Sequence, residues 1–162
     1  MSRVSIAFPE PVVYREERTV SPAEVNQGNH LGFDQAVKLI ADARRRFFHH
    51  FGLSDLDENG TGVVVADLAV RYKAEIFAGE RLRIEVAAGN PSGKSCDLFY
   101  RVLKLEDHLE ALVAKTGIVF FDYAARRPTP MPEAYRRRLF SGADTLPSRP
   151  PGTGQDFSPG VE

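Results

Sequence analysis

The sequence predicts an α+β domain, an antiparallel sheet wrapped around one long helix, and three observations carry that expectation. One stretch, Phe33 to Phe51, repeats apolar residues at helical spacing. A longer one, Thr61 to Tyr123, alternates apolar and polar residues with period two, and turn residues cut it into pieces. Strands joined by such short turns are antiparallel neighbours, and a single helix with one apolar stripe needs a sheet face to bury it.

Val12 to Val20 suits a first strand. It stops at Ser21-Pro22-Ala23-Glu24, where a serine and a glutamate three positions apart match a capping box and Pro22 takes the first helical position, so a short turn of helix should follow. In the long helix Ala36, Ile40, Ala43, Phe47 and Phe51, joined by Val37 and Leu39, form the apolar stripe, while Lys38, Asp42, Arg45 and Arg46 fall elsewhere. Gly52 supplies the stop.

Four strands follow. Val64, Ala66, Leu68, Val70 and Tyr72 alternate with Asp67, Arg71 and Lys73; Leu82, Ile84 and Val86 alternate with Arg81, Arg83 and Glu85; Cys96, Leu98, Tyr100 and Val102 alternate with Asp97 and Arg101. Turns containing Gly79, Asn90-Pro91-Ser92-Gly93 and Glu106-Asp107 separate them. The last strand, Leu109 to Tyr123, is apolar on both parities near its end (Ile118 and Phe120; Val119 and Phe121), which predicts burial on two faces there, one of them against another subunit or layer. Pro132 to Phe140 reads as a short terminal helix. Residues 1–140 then make one domain, and residues 141–162, rich in Pro and Gly with few large apolar side chains, read as a disordered tail.

A chain of 162 residues can support its own core without a metal or disulfide staple. Its net charge of -1, from 21 basic and 22 acidic residues, gives no electrostatic footprint for nucleic acid or an anionic membrane. No stretch approaches the roughly 18 apolar residues of a membrane span. The lone Cys96 has no partner for a disulfide or a zinc site, which fits a reducing, cytoplasmic setting, and its parity makes it a packed core thiol. No metal or cofactor is called for.

Chemistry concentrates between Val25 and Asp34, where Asn26, His30 and Asp34 surround Gly28 and Gly32 just ahead of the long helix. The glycines let a backbone approach a ligand closely, and a helix starting near Phe33 aims free N–H groups at an anion or a polarised carbonyl. Elsewhere the plainer readings stand. His49 and His50 complement a helix C-terminus. Asp55 to Gly60 begins like a calcium loop but has Ala66 at the twelfth position, so it reads as a turn. Arg44-Arg45-Arg46 and Arg136-Arg137-Arg138 read as solvated helix faces.

From about Val12 to Leu139 the chain resembles the hot-dog-fold acyl-CoA thioesterases, the group containing 4-hydroxybenzoyl-CoA thioesterase and the acyl-CoA thioester hydrolases. The resemblance rests on the element order, on Val70-Arg71-Tyr72 followed by Phe77-Ala78-Gly79-Glu80-Arg81-Leu82, and on Val119-Phe120-Phe121-Asp122-Tyr123 followed by the Pro128 to Pro132 segment. Family members often carry Asp-x-x-Gly-His-Val-Asn-Asn before the helix. Counting back from Ala43-Arg44 puts His30 on that histidine and Asn26 on the usual catalytic aspartate. Since an amide is neither a base nor a carboxylate nucleophile, the charge must come from elsewhere, from Asp34 or Glu24.

The resemblance implies hydrolysis of an acyl-CoA or acyl-carrier-protein thioester in a homodimer or homotetramer whose sites lie at subunit interfaces. Asp34, His30 and Asn26 would be catalytic, and Gly28, Asn29, Gly32, Phe33 and Tyr72 would meet the substrate. A non-catalytic acyl-CoA binder remains open because of Asn26. So does an enoyl-CoA hydratase, since hydratases of this fold pair an acid with a histidine at the spacing of Asn26 and His30.

Overall fold

The computed structural model describes residues 1–141. In chain order the elements are β1 (Val12–Thr19), a 3-10 turn (Pro22–Glu24), α1 (Phe33–His50), β2 (Thr61–Tyr72), β3 (Arg81–Gly89), β4 (Ser95–Lys104), β5 (Glu110–Asp122), β6 (Arg127–Pro128) and α2 (Glu133–Phe140). The sheet runs β1-β3-β4-β5-β2, with the two-residue β6 beside the end of β5, and every pairing is antiparallel. This is the expected α+β arrangement of one long helix on a sheet. The tail expected beyond the domain falls, from residue 142, outside the described residues.

α1 forms where the apolar spacing predicts it. It starts after the extended Gly32 and ends at Phe51, where Gly52 takes a φ of +74° that a side chain would resist. Its buried stripe, Ala36, Leu39, Ile40, Ala43, Phe47 and Phe48, joins one core cluster with Ile84, Val86, Leu98, Tyr100 and Val102 of the central strands. α2 closes one end of this core. Its Tyr135 ring meets Phe48 and Phe120 edge-on at 5.5 and 5.0 Å between centroids, and its hydroxyl bonds the backbone of Ser54. At the same C-terminal end of α1 the His50 ring packs against Tyr14 and Phe51, and Asp57 Oδ1 accepts from the Asn59 and Thr61 amides to form a simple turn ahead of β2. Among the described residues no helix is long and apolar enough to cross a membrane.

Two expectations need correction, and one takes a finer form. First, β2 does not keep one face along its length. Its register against β5 jumps between Val65 and Asp67, so Val63 and Val65 share a face with Leu68, Val70 and Tyr72, while Val64 points the other way. A bulge inserts one residue and reverses parity, which simple alternation cannot reveal. Second, within the single chain β5 is buried on both faces at Ala111 to Ala114, while near its end Ile118 and Phe120 are buried and the opposite face is the one expected to meet another subunit or layer. Val113 lies between Arg101 of β4 and Arg71 of β2 on the outer face, whereas Val119 and Phe121 stay half-buried. Third, Arg44 is buried rather than solvated. It sits on the core side of α1, stacks on Phe48 and donates to Asp55 at 2.5 and 3.2 Å. Its neighbours Arg45 and Arg46 are likewise held by Asp42 and Glu16.

Two core groups make stability depend on alkaline pH. Burial, helped by Asp97, pushes the Cys96 thiol up to about 12 from its ordinary 9.0. Burial also pushes the Tyr100 phenol up to about 12 from 10.0, although its bond to Thr116 Oγ1 works against the rise. Both groups hold their protons more tightly when folded. Their contribution is therefore complete below the unfolded values and is lost as pH climbs towards the folded ones. Stability measured by urea unfolding should fall from about pH 9 at ~1.4 kcal/mol per unit, and about twice as fast above pH 10. Cys96→Ala should remove the onset near pH 9; an unchanged onset in that variant would discount the thiol.

Candidate active site

The loop before α1 is clipped to the β2–β3 connection by backbone bonds. Val25 bridges Leu31, His30 bridges Phe77, and the Leu31 amide donates to the Ile76 carbonyl at 2.7 Å. Inside the loop Asn26 acts as the organiser: its Oδ1 accepts from the Gly28 amide at 2.9 Å and the His30 amide at 3.4 Å, and its carbonyl accepts from Asn29. Asn29 turns the chain at a φ of 67°, a conformation asparagine tolerates better than most residues.

Both glycines make room for functional groups. A Cβ on Gly28 would stand 3.3 Å from both Asn26 Oδ1 and the His30 ring. A Cβ on Gly32 would stand 2.7 Å from Asp34 Oδ1 and 3.9 Å from Asn26 Nδ2. Asp34 and Asn26 are thus brought together over the bare backbone of Gly32, with Asp34 exposed in the first helical turn. His30 Nδ1 lies 3.1 Å from the Leu31 carbonyl, which can only accept, so this nitrogen carries the proton. In the neutral ring the lone pair then sits on Nε2, 3.7 Å from Glu75 Oε2.

Beside this loop opens a cleft of about 370 Å³ between the start of α1, the end of β2 and the start of β5. His30, Phe33, Tyr72 and Glu75 stand at its mouth, and Leu31, Ala36, Ile76, Ala111 and Leu112 line it more deeply. The Tyr72 hydroxyl donates to the Phe33 carbonyl at 3.0 Å, tying β2 to the helix start. Burial raises its pKa above the usual phenol value, and the negative charge of Asp34 adds to the rise.

Not every expected donor is available. The amides from Gly28 to Leu31 are all used within the loop or by Ile76, so the first-turn amides from Phe33 to Gln35 remain, having no partner within the helix. Glu24 is also committed. Burial opposes its charge, but the Ser21 amide and two Arg18 contacts at 2.5 and 2.6 Å outweigh that and hold it below the usual carboxylate range. Glu75, Ile76, Ala111 and Leu112 were not singled out by sequence pattern, because only the His30–Phe77 bridge and the sheet register bring them to the loop.

The thioesterase-like superfamily matches this chain over residues 20–139. No curated protein sequence matches it. Solved structures of similar fold include a 1,4-dihydroxy-2-naphthoyl-CoA thioesterase from Synechocystis, at 17% identity and a TM-score of 0.73 over 78% of this chain and 94% of the other. A Staphylococcus aureus protein solved in complex with CoA superposes at a TM-score of 0.77 with 17% identity, covering 95% and 98% of the two chains. A DHNA-CoA thioesterase from the same organism gives 0.66 and 20% over 79% and 83%.

Proposed function

The chain belongs to the thioesterase-like superfamily, and from that premise we propose that it hydrolyses an acyl thioester of coenzyme A, or of an acyl carrier protein, to the free acid and the thiol. The observation that carries the reading is Asp34 in the first turn of α1, close to Asn26 over Gly32 and to the unbonded amides of that turn, one residue after Phe33, which lines the cleft. Asp34 takes a proton from water as the water oxygen bonds to the thioester carbon. The carbonyl oxygen, now an anion, faces the amides from Phe33 to Gln35. Collapse restores the carbonyl and breaks the carbon–sulfur bond, and the sulfur leaves as the thiol, taking the proton that Asp34 had accepted. Asn26 Nδ2 and His30 orient water and substrate, while Gly28, Asn29, Gly32, Phe33 and Tyr72 shape the approach. No metal or cofactor takes part in this scheme.

The reaction is placed in the cytoplasm, in keeping with a lone buried thiol. It runs in a homodimer or homotetramer. Among the described residues β2 is hydrogen-bonded to β5 on one side only, and along it Val65, Leu68 and Tyr72 are 45, 45 and 49% exposed, an edge suited to a second copy.

The test is thiol release from short, long and aromatic acyl-CoAs. Release confirms a thioesterase; saturable stabilisation by acyl-CoA with the thioester recovered intact identifies a binder; loss of enoyl-CoA absorbance identifies a hydratase. Gly32→Ala sharpens the assignment, because the added methyl can be admitted only by moving the Asp34 carboxylate. With Gly32 already in extended backbone, the fold should survive while kcat falls by ~10-fold or more. Unchanged turnover in that variant would separate Asp34 from the chemistry.

A further inference from the structure

The cleft entered past His30, Phe33 and Tyr72 is small, and its deeper wall carries no polar side chain. Leu31, Ala36, Ile76, Ala111 and Leu112 are each 8% exposed or less, and all are aliphatic. The polar groups lie outward and are engaged: the Tyr72 hydroxyl on the Phe33 carbonyl, the Lys73 ammonium on Glu110, and Glu75 opposite His30. A volume of about 370 Å³ is near the lower end of the roughly 300–1,000 Å³ range of ligand sites.

We propose that, within the thioesterase reading on which this rests, the acyl group is compact and wholly apolar, and that Ala74 and Ile76 set its size. A hydroxyl carried to that wall would lose its water and meet only methyl and methylene groups. A long chain would run out of room against Ala111 and Leu112. Ala74 and Ile76 sit in the β2–β3 connection, where the backbone clip at Ile76 fixes their position against His30 and Leu31, so their side-chain bulk translates directly into cleft depth.

The experiment measures kcat/KM for linear acyl-CoAs from acetyl to palmitoyl, benzoyl-CoA and hydroxybenzoyl-CoA, alongside thermal stabilisation by the matching S-alkyl-CoA thioethers, which cannot be hydrolysed. The expected optimum lies between butyryl and octanoyl, with hydroxybenzoyl-CoA ~10-fold or more below benzoyl-CoA. Ala74→Leu, at a half-buried position with space beside it, should move the optimum to shorter chains, and Ile76→Ala should move it to longer ones. A palmitoyl optimum, a preference for the hydroxylated ring, or the same optimum in both variants would overturn the proposal. If no thioester is cleaved but the thioethers stabilise the protein in the predicted order, the size assignment stands and hydrolysis falls. If no thioether stabilises it either, the cleft is not an acyl site.

Discussion

Replacing Asp34 by asparagine should abolish thioester hydrolysis, lowering kcat by ~10²–10⁴-fold, the usual worth of a positioned general base. The change is nearly isosteric, so the crowding over Gly32, where a Cβ would meet Asp34 Oδ1 at 2.7 Å, is preserved and Asn26 keeps its place. The fold should hardly notice. A carboxylate in the first turn of a helix is worth roughly 0.3–1 kcal/mol through the dipole, and nothing in the core touches this exposed side chain. Loss of turnover with an unchanged unfolding midpoint therefore isolates chemistry from stability. Full activity in the variant would remove Asp34 from the mechanism. Glu24 would not be the natural successor, since Arg18 and the Ser21 amide already hold its carboxylate; His30, with Nδ1 on the Leu31 carbonyl and Nε2 directed towards Glu75, would be.

What could be read in the sequence was what is local. The α1 stripe and the Gly52 stop, the turn at Gly79 and the run from Asn26 to Asp34 are each encoded within a few turns of chain, and each forms where the pattern puts it. Half of the site shares that property. The other half does not: Tyr72 reaches Leu112 through the register of β2 on β5, and Ile76 reaches Leu31 through one backbone bond, so neither neighbour leaves a periodic trace. The bulge after Val65 shows the same limit, because one inserted residue reverses every later side chain while leaving the alternation on either side intact. Arg44 failed for another reason. Charge alone marked it as solvated, but its position on α1 between Ala43 and Phe47 put it against the core, where Asp55 neutralises it.

The same logic predicts the largest loss of stability, at Arg46. It lies on α1 and donates from Nε and a terminal nitrogen to the Glu16 carboxylate of β1, at 2.9 and 2.5 Å, and Tyr14 donates a third bond at 2.9 Å. Glu16 is only 1% exposed, so its charge has no recourse to water once the guanidinium is gone. The pairing also raises the pKa of Arg46, the Glu16 bond being the leading cause, which means the two charged forms support one another. Removing one partner of a buried pair costs about 3–5 kcal/mol. Because the Arg46 side chain is 37% exposed and water can enter its vacated space, the low end, about 3 kcal/mol, is expected for Arg46→Ala. Adding Glu16→Gln to that variant should recover part of the loss, since a neutral amide tolerates the pocket and still accepts from Tyr14. Urea unfolding of both single variants and the double gives the coupling. A loss under ~1 kcal/mol in Arg46→Ala, or no recovery in the double, would mean that Tyr14 alone satisfies the buried carboxylate and that the helix-to-strand ion pair is dispensable to the fold.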